Sequence, residues 1–157
     1  IAIQLSDEMK KALVACMHDL KKQGVEGNYV PAQNLHLTLA FIGEYDDTAK
    51  VKQVIESVPL PQFRLSLSEK GNFGNLLWAG VKGNQKLKTY VKELRGALRA
   101  AGIPVDEDKF VPHITLIRKA AAKKAYQAHL PKAEMTVKKV SLMKSEMKNG
   151  KMVYREM

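Results

Sequence analysis

The chain has 157 residues, is 45% hydrophobic and 27% charged, and carries 26 Lys/Arg against 16 Asp/Glu. That composition suits a globular core and leaves no apolar run long enough to span a membrane; the single Cys16 excludes an internal disulfide framework. Charge is uneven: residues 1–79 hold eight cations and nine acids, and residues 80–157 hold eighteen and seven. A half-molecule of net +11 is either a lysine-rich solvated surface or one that attracts polyanions by phosphate contact and counterion release.

Taken in chain order, Ile1 to Leu5 reads as a strand. Ser6 is a helix N-cap with Asp7 and Glu8 in the positive first turn. Met9, Leu13, Cys16, Met17 and Leu20 make one stripe, and Gly24 ends the helix. Residues 28–36 read as a connector. Leu35 to Ile42 reads as a strand, stopped by Gly43. Asp46 or Asp47 caps a second helix burying Val51, Val54, Ile55 and Val58, closed by Pro59 and Pro61. Phe63, Leu65 and Leu67 alternate as in a strand, and residues 71–74 form a turn. Leu76 to Val81 is a strand. Asn84 caps a helix with Leu87, Tyr90, Val91, Leu94, Leu98 and Ala101 inside, closed by Gly102 and Pro104. Phe110 to Ile117 reads as a strand, Ala120 to Leu130 as a helix, and Met135 to Met143 as a strand. Asn149-Gly150 signals a hairpin. Strand, helix, strand, helix, strand thus occurs twice, as internal repeats of about 1–74 and 75–157 within one domain.

One pattern recurs at matched places in the two repeats. His36-Leu37-Thr38-Leu39 and His113-Ile114-Thr115-Leu116 lie 77 residues apart. On a strand, His and Thr at i and i+2 share one face while the aliphatic pair shares the other. Two such strands meeting at a pseudo-twofold axis bring together two imidazoles and two hydroxyls. One imidazole gives a proton, the other takes one, and the hydroxyls hold a charged oxygen. That set of parts suits phosphoryl transfer without a metal. A zinc site is disfavoured, because it needs three or four ligands and no further cluster is visible. His18 falls opposite the apolar stripe of its helix and His129 lies near a helix end; neither has a repeated context. Cys16 reads as a small buried hydrophobe.

These blocks resemble the two-histidine (2H) phosphoesterase superfamily, most closely the bacterial RNA 2′,3′-cyclic phosphodiesterases, also called 2′-5′ RNA ligases. Residues 29–44 are similar to the family's first motif block, residues 77–81 to its central strand and residues 110–118 to its second motif block; Ile1-Ala2-Ile3 looks like its opening strand. The resemblance implies a bilobal α+β fold, with antiparallel sheets lining a cleft and helices outside. It also implies hydrolysis of RNA 2′,3′-cyclic phosphate ends to 2′-phosphate with no metal or cofactor. His36 would be the proton donor to the leaving 3′ oxygen and His113 the proton acceptor from water. Thr38 and Thr115 would hold phosphoryl oxygens, Arg118 phosphate, and Phe41 the base. Phe41 and Arg118 each lie five residues after their His, where strict alternation would turn them away. A bulge or a strand end must redirect them. Gly27-Asn28-Tyr29 departs from the family's Arg-Trp before the first motif. The alternatives are 2′-5′ RNA ligation or another cyclic or 2′-5′ phosphodiester substrate, and, from another class, a noncatalytic RNA-binding module. The expected partner is RNA or a nucleotide with a cyclic phosphate end, with no membrane and no obligate protein partner. A cytoplasmic location is expected from the lone Cys and the lack of a visible secretory signal. A start at Ile1 points to native residues before it.

Overall fold

A computed structural model describes every residue except Gly83 and Asp108. Nine strands and three α-helices are described: β1 (Ala2–Gln4), α1 (Asp7–Lys22), β2 (Glu26–Tyr29), β3 (His36–Thr38), α2 (Thr48–Ser57), β4 (Phe63–Phe73), β5 (Leu76–Val81), α3 (Gln85–Ala100), β6 (His113–Ala121), β7 (Glu134–Val137), β8 (Met143–Lys148) and β9 (Lys151–Glu156). All described strand pairs are antiparallel. One sheet pairs β1 with β3, a second runs β2-β6-β5-β4-β7, and β8 pairs only with β9. The fold is α+β and bilobal, its sheets lining a cleft with helices outside. No helix among the described residues is long and apolar enough to cross a membrane.

The helices begin where side-chain acceptors are available. Ser6 Oγ accepts from the Met9 N–H at 3.3 Å, Asp47 Oδ1 from Lys50 at 3.1 Å, and Asn84 Oδ1 from Lys86 at 2.9 Å. Each satisfies a donor that the first turn leaves open. α1 buries Met9, Leu13, Cys16, Met17 and Leu20 and packs against β6 and β7. α3 packs beside α2, and its buried Arg95 donates from Nε to the Leu39 carbonyl just after β3, at 3.0 Å. Leu37 and Leu39 from the small sheet and Ile114 and Leu116 from the large one enter a single core, all at most 1% exposed. Asn149 and Gly150 both take positive φ, 51° and 75°, and turn β8 into β9.

Four expectations fail. Residues 71–73 are the end of β4, with the turn at Gly74-Asn75, and residues 135–143 are not one strand, since β7 ends at Val137 and β8 starts at Met143. Residues 120–130 form no helix: β6 runs on through Ala121, and the chain then crosses irregularly to β7. Among the described residues of 75–157 there is therefore no counterpart of α2. Tyr126, Ala128 and Leu130 are the partly covered side chains of that crossing, a period of two that suits an extended chain and not a helix. The stretch expected as a connector, residues 28–36, opens inside a strand: β2 adds to the outer edge of β6, with Asn28 opposite Arg118. Gly27 makes the close approach possible, since a Cβ there would lie 2.7 Å from Ile117 Cγ2 and 3.0 Å from the Arg118 carbonyl.

Candidate active site

The two motif strands meet. β3 lies beside β6, and in each the His and Thr are half-buried while the residue between them is buried. His36 and Thr38 therefore share the cleft face of β3, and His113 and Thr115 the cleft face of β6. His36 also senses the positive charge of Arg118 and of His113.

Both imidazoles are fixed in the same way. His36 Nδ1 lies 2.6 Å from the carbonyl oxygen of Asn34, and His113 Nδ1 lies 2.7 Å from that of Val111. In each case the carbonyl belongs to the residue two positions earlier. A carbonyl only accepts, so each ring carries a hydrogen on Nδ1 and donates it. Nε2 is left in both as the atom free to gain or lose a proton. The arrangement holds two rings with known tautomers in one cleft. Burial pushes the His36 pKa below the ordinary histidine value; the Asn34 carbonyl opposes this, and the charges of Arg118 and His113 add to it.

Phe41 and Arg118, five places beyond each His, both emerge exposed, by two different routes. β3 ends at Thr38, so Phe41 is not bound by alternation. Its N–H donates to Asp106 Oδ1 at 2.9 Å and its carbonyl accepts from the Asp106 N–H at 3.0 Å. With its backbone tied down, the Phe41 ring stands 64% exposed. In β6 the register against β5 slips: Leu77 faces Ile117 while Trp78 faces Thr115. Leu116 and Ile117 are consequently both buried, and the next residue, Arg118, emerges exposed.

The walls come from residues outside the motifs. The Tyr154 ring of β9 lies 4.8 Å from the His36 ring, centroid to centroid. Phe73 meets His113 edge-on at 5.2 Å, and Trp78 lies 5.8 Å from it. Gly80 is the cross-strand partner of His113, and the Trp78 indole leans over it, where a Cβ would meet Cζ3 at 3.2 Å. A cavity of about 210 Å³ opens beside His36, lined by Gln4, Lys10, Asn34, Tyr154 and Glu156 among others. Sequence reasoning missed Tyr154, Phe73 and the two orienting carbonyls. Trp78 enters the sequence reading only as part of a strand. Among the described residues, no three His, Cys, Asp or Glu side chains gather as a metal site would require. His18, His129 and Cys16 stay apart from the cleft: the two imidazoles are exposed and the thiol is buried in α1.

Comparison with known proteins gives this geometry a family. Residues 6–149 match the model of the 2′-5′ RNA ligase superfamily. The chain is 34% identical over 128 residues to the RNA 2′,3′-cyclic phosphodiesterase of Thermotoga maritima, covering 75% of this chain and 67% of that one. It is 27% identical over 124 residues to the protein of the same name from Methanocaldococcus jannaschii, covering 75% and 69%. Among solved structures, E. coli LigT complexed with 3′-AMP superposes with a TM-score of 0.85 at 27% identity, over 99% of this chain and 92% of that one. The paired motifs, the shared fold and the match over most of the length agree: the chain belongs to the 2′-5′ RNA ligase superfamily.

Proposed function

We propose that this protein hydrolyses RNA 2′,3′-cyclic phosphate ends to 2′-phosphates, using His36 and His113 as an acid–base pair and no metal. The observation that carries the reading is the matched tautomer of the two rings, each with Nδ1 held on a carbonyl and Nε2 left for proton transfer. His113 Nε2 takes a proton from water as the hydroxide oxygen bonds to phosphorus. The bond from phosphorus to the 3′ oxygen breaks, and His36 Nε2–H gives that oxygen its proton. The Thr38 and Thr115 hydroxyls and the Arg118 guanidinium hold the non-bridging oxygens, where charge concentrates. Exposed Phe41 offers a flat face to a base. The names of the curated relatives support the same substrate class.

The acid has to be protonated when substrate is bound, whereas burial favours neutral His36 in the free protein. An anionic phosphate in the cleft reverses that balance by stabilising the imidazolium. Substrate thus loads its own acid. Ligation, attack by a 5′-hydroxyl in place of water, uses the same two proton transfers, and the superfamily name favours testing it.

The test is an RNA with a 2′,3′-cyclic end, incubated with the protein in excess EDTA and read by product identity. The reading expects a 2′-phosphate in EDTA and none from His36→Ala or His113→Ala. A 3′-phosphate product, or activity restored only by added metal, overturns the mechanism. Tight RNA binding with no turnover favours the binding module.

A further inference from the structure

The cleft leaves the outer face of α3 without a task. Lys88, Lys92, Arg95 and Arg99 recur at intervals of four, three and four and so share a stripe. With Glu107 and Phe110 they line a pocket of about 320 Å³, four cations meeting one carboxylate. Two of the four are structural. Arg95 is committed to the Leu39 carbonyl and to Asp106, and Arg99 donates to the Asp106 carbonyl at 3.3 Å. Lys88 and Lys92 are exposed and make no ion pair with any described residue. Like charges four apart on a helix repel, so folding alone gives no reason for the pair.

Contacts lead from the pocket to Phe41 and, along the chain, toward His113. Asp106, which holds Arg95 and Arg99, also holds the backbone of Phe41. Phe110 lies three residues before His113, and its ring lies under the Arg95 guanidinium at 5.5 Å. A 2′,3′-cyclic phosphate is the last phosphate of its strand, so every further nucleotide lies on its 5′ side and must leave over the rim. The stripe from Lys88 to Arg99 spans eleven residues, about 16 Å at helical rise. A stacked strand advances roughly 3.4 Å per nucleotide, so the stripe spans several.

Resting on the cyclic-end reading above, we propose that this face of α3 binds the phosphate backbone of the RNA chain 5′ to the reacting end. The protein thereby favours oligonucleotides over mononucleotides. Lys88 and Lys92 supply the charge, Arg95 and Arg99 the fixed floor, and Phe41 the turning point between cleft and groove.

The test uses a Lys88→Glu/Lys92→Glu variant, both side chains being exposed and outside the cleft. Hydrolysis of a cyclic-ended oligonucleotide of about twelve residues is compared with that of a 2′,3′-cyclic mononucleotide. The proposal expects kcat/KM on the oligonucleotide to fall ~10-fold or more, chiefly through KM, with the mononucleotide within about twofold of wild type. The salt dependence of oligonucleotide binding should lose about 1.4 units of slope, roughly 0.7 for each lysine contact to a single strand. Equal effects on both substrates, or no effect on either, overturn it. Binding of the same oligonucleotide ending in a 3′-phosphate, followed by fluorescence anisotropy, separates the two readings. If wild type turns over neither substrate, the cyclic-end reading fails; the groove stands if the variant still loses ~10-fold in affinity and falls if affinity is unchanged.

Discussion

Gly71 lies directly across from Trp78 on the β4–β5 ladder, and the indole occupies the space a side chain at 71 would need. A Cβ there would sit 2.3 Å from Cζ2 and 2.4 Å from Cη2. Gly80 borders the same ring from Trp78's own strand. Two glycines thus make the slot for the indole, and the indole with Phe73 makes the wall behind His113. Gly71→Ala should cost about 1–3 kcal/mol, the range for overpacking, and should lower turnover as the wall shifts. Gly96→Ala is the control: it lies inside α3 with nothing within 4 Å, and should gain about 0.5–1 kcal/mol. Urea titration of both variants checks the pair; a neutral Gly71→Ala would mean the indole moves aside freely.

His36 should titrate below the ordinary value near 6.5 in the free protein. Saturating phosphate or 3′-AMP should move it upward, and NMR of the imidazole protons reads both. Stability follows with a definite sign. Because the folded value is depressed, the unfolded chain binds more protons as pH falls below about 6.5. The His36 contribution is therefore constant above that pH, declines as pH falls toward the folded value, and flattens below it. Denaturation at several pH values, compared with His36→Gln, isolates this part. A free-protein titration above 6.5 would contradict the burial argument.

His36→Ala and His113→Ala should each lower kcat by ~10²-fold or more. The double variant should lose far less than the product of the two, because in the proposed mechanism acid and base act on one transition state. The kcat/KM profile should be a bell whose limbs belong to the pair. His18→Ala, on the exposed face of α1, should leave turnover unchanged. Losses that multiply would mean that the two rings serve separate steps.

Tyr154→Ala should open the cavity beside His36, admit water to the ring, and return its titration toward 6.5. Tyr154→Phe should keep the low value, since the ring and not the hydroxyl makes the contact. Titration of both variants decides it: matching behaviour would mean that the Tyr154 ring is not what shields His36 from water.

Much of the site is written locally. His36/Thr38 and His113/Thr115 are legible because a strand's period of two sorts each motif into a cleft face and a core face. The emergence of Arg118 needed a bulge that the sequence demands without locating; the slip at Leu116 becomes visible only in the pairing with β5. Ser6, Asp47 and Asn84 announce their helices because a capping acceptor is a local feature. Residues 120–130 mislead because alanine and lysine favour a helix intrinsically, while the alternating cover of Tyr126, Ala128 and Leu130 wins in the folded chain. β2 is hidden because its edge pairing depends on a glycine closely approaching Ile117. Tyr154 and Phe73 reach the histidines from 118 and 40 residues away in sequence, and no local signal reports such a contact.

The β8–β9 hairpin pairs with no other strand. It is tethered at its base, where Glu156 accepts from Gln4, Lys139 and Ser141, and near its tip by one bond, from Asn34 to the Met152 carbonyl. A lone two-stranded ribbon is marginal in water, whereas His113 stands within a five-stranded sheet. The two imidazoles thus rest on supports of unequal endurance. On warming, the ribbon carrying Tyr154 should loosen while the main sheets still hold, in the manner of a low-energy local opening. Turnover would then fade at temperatures where calorimetry still reports an intact core, and the thermal ceiling of the chemistry would be set by six residue pairs at the end of the chain.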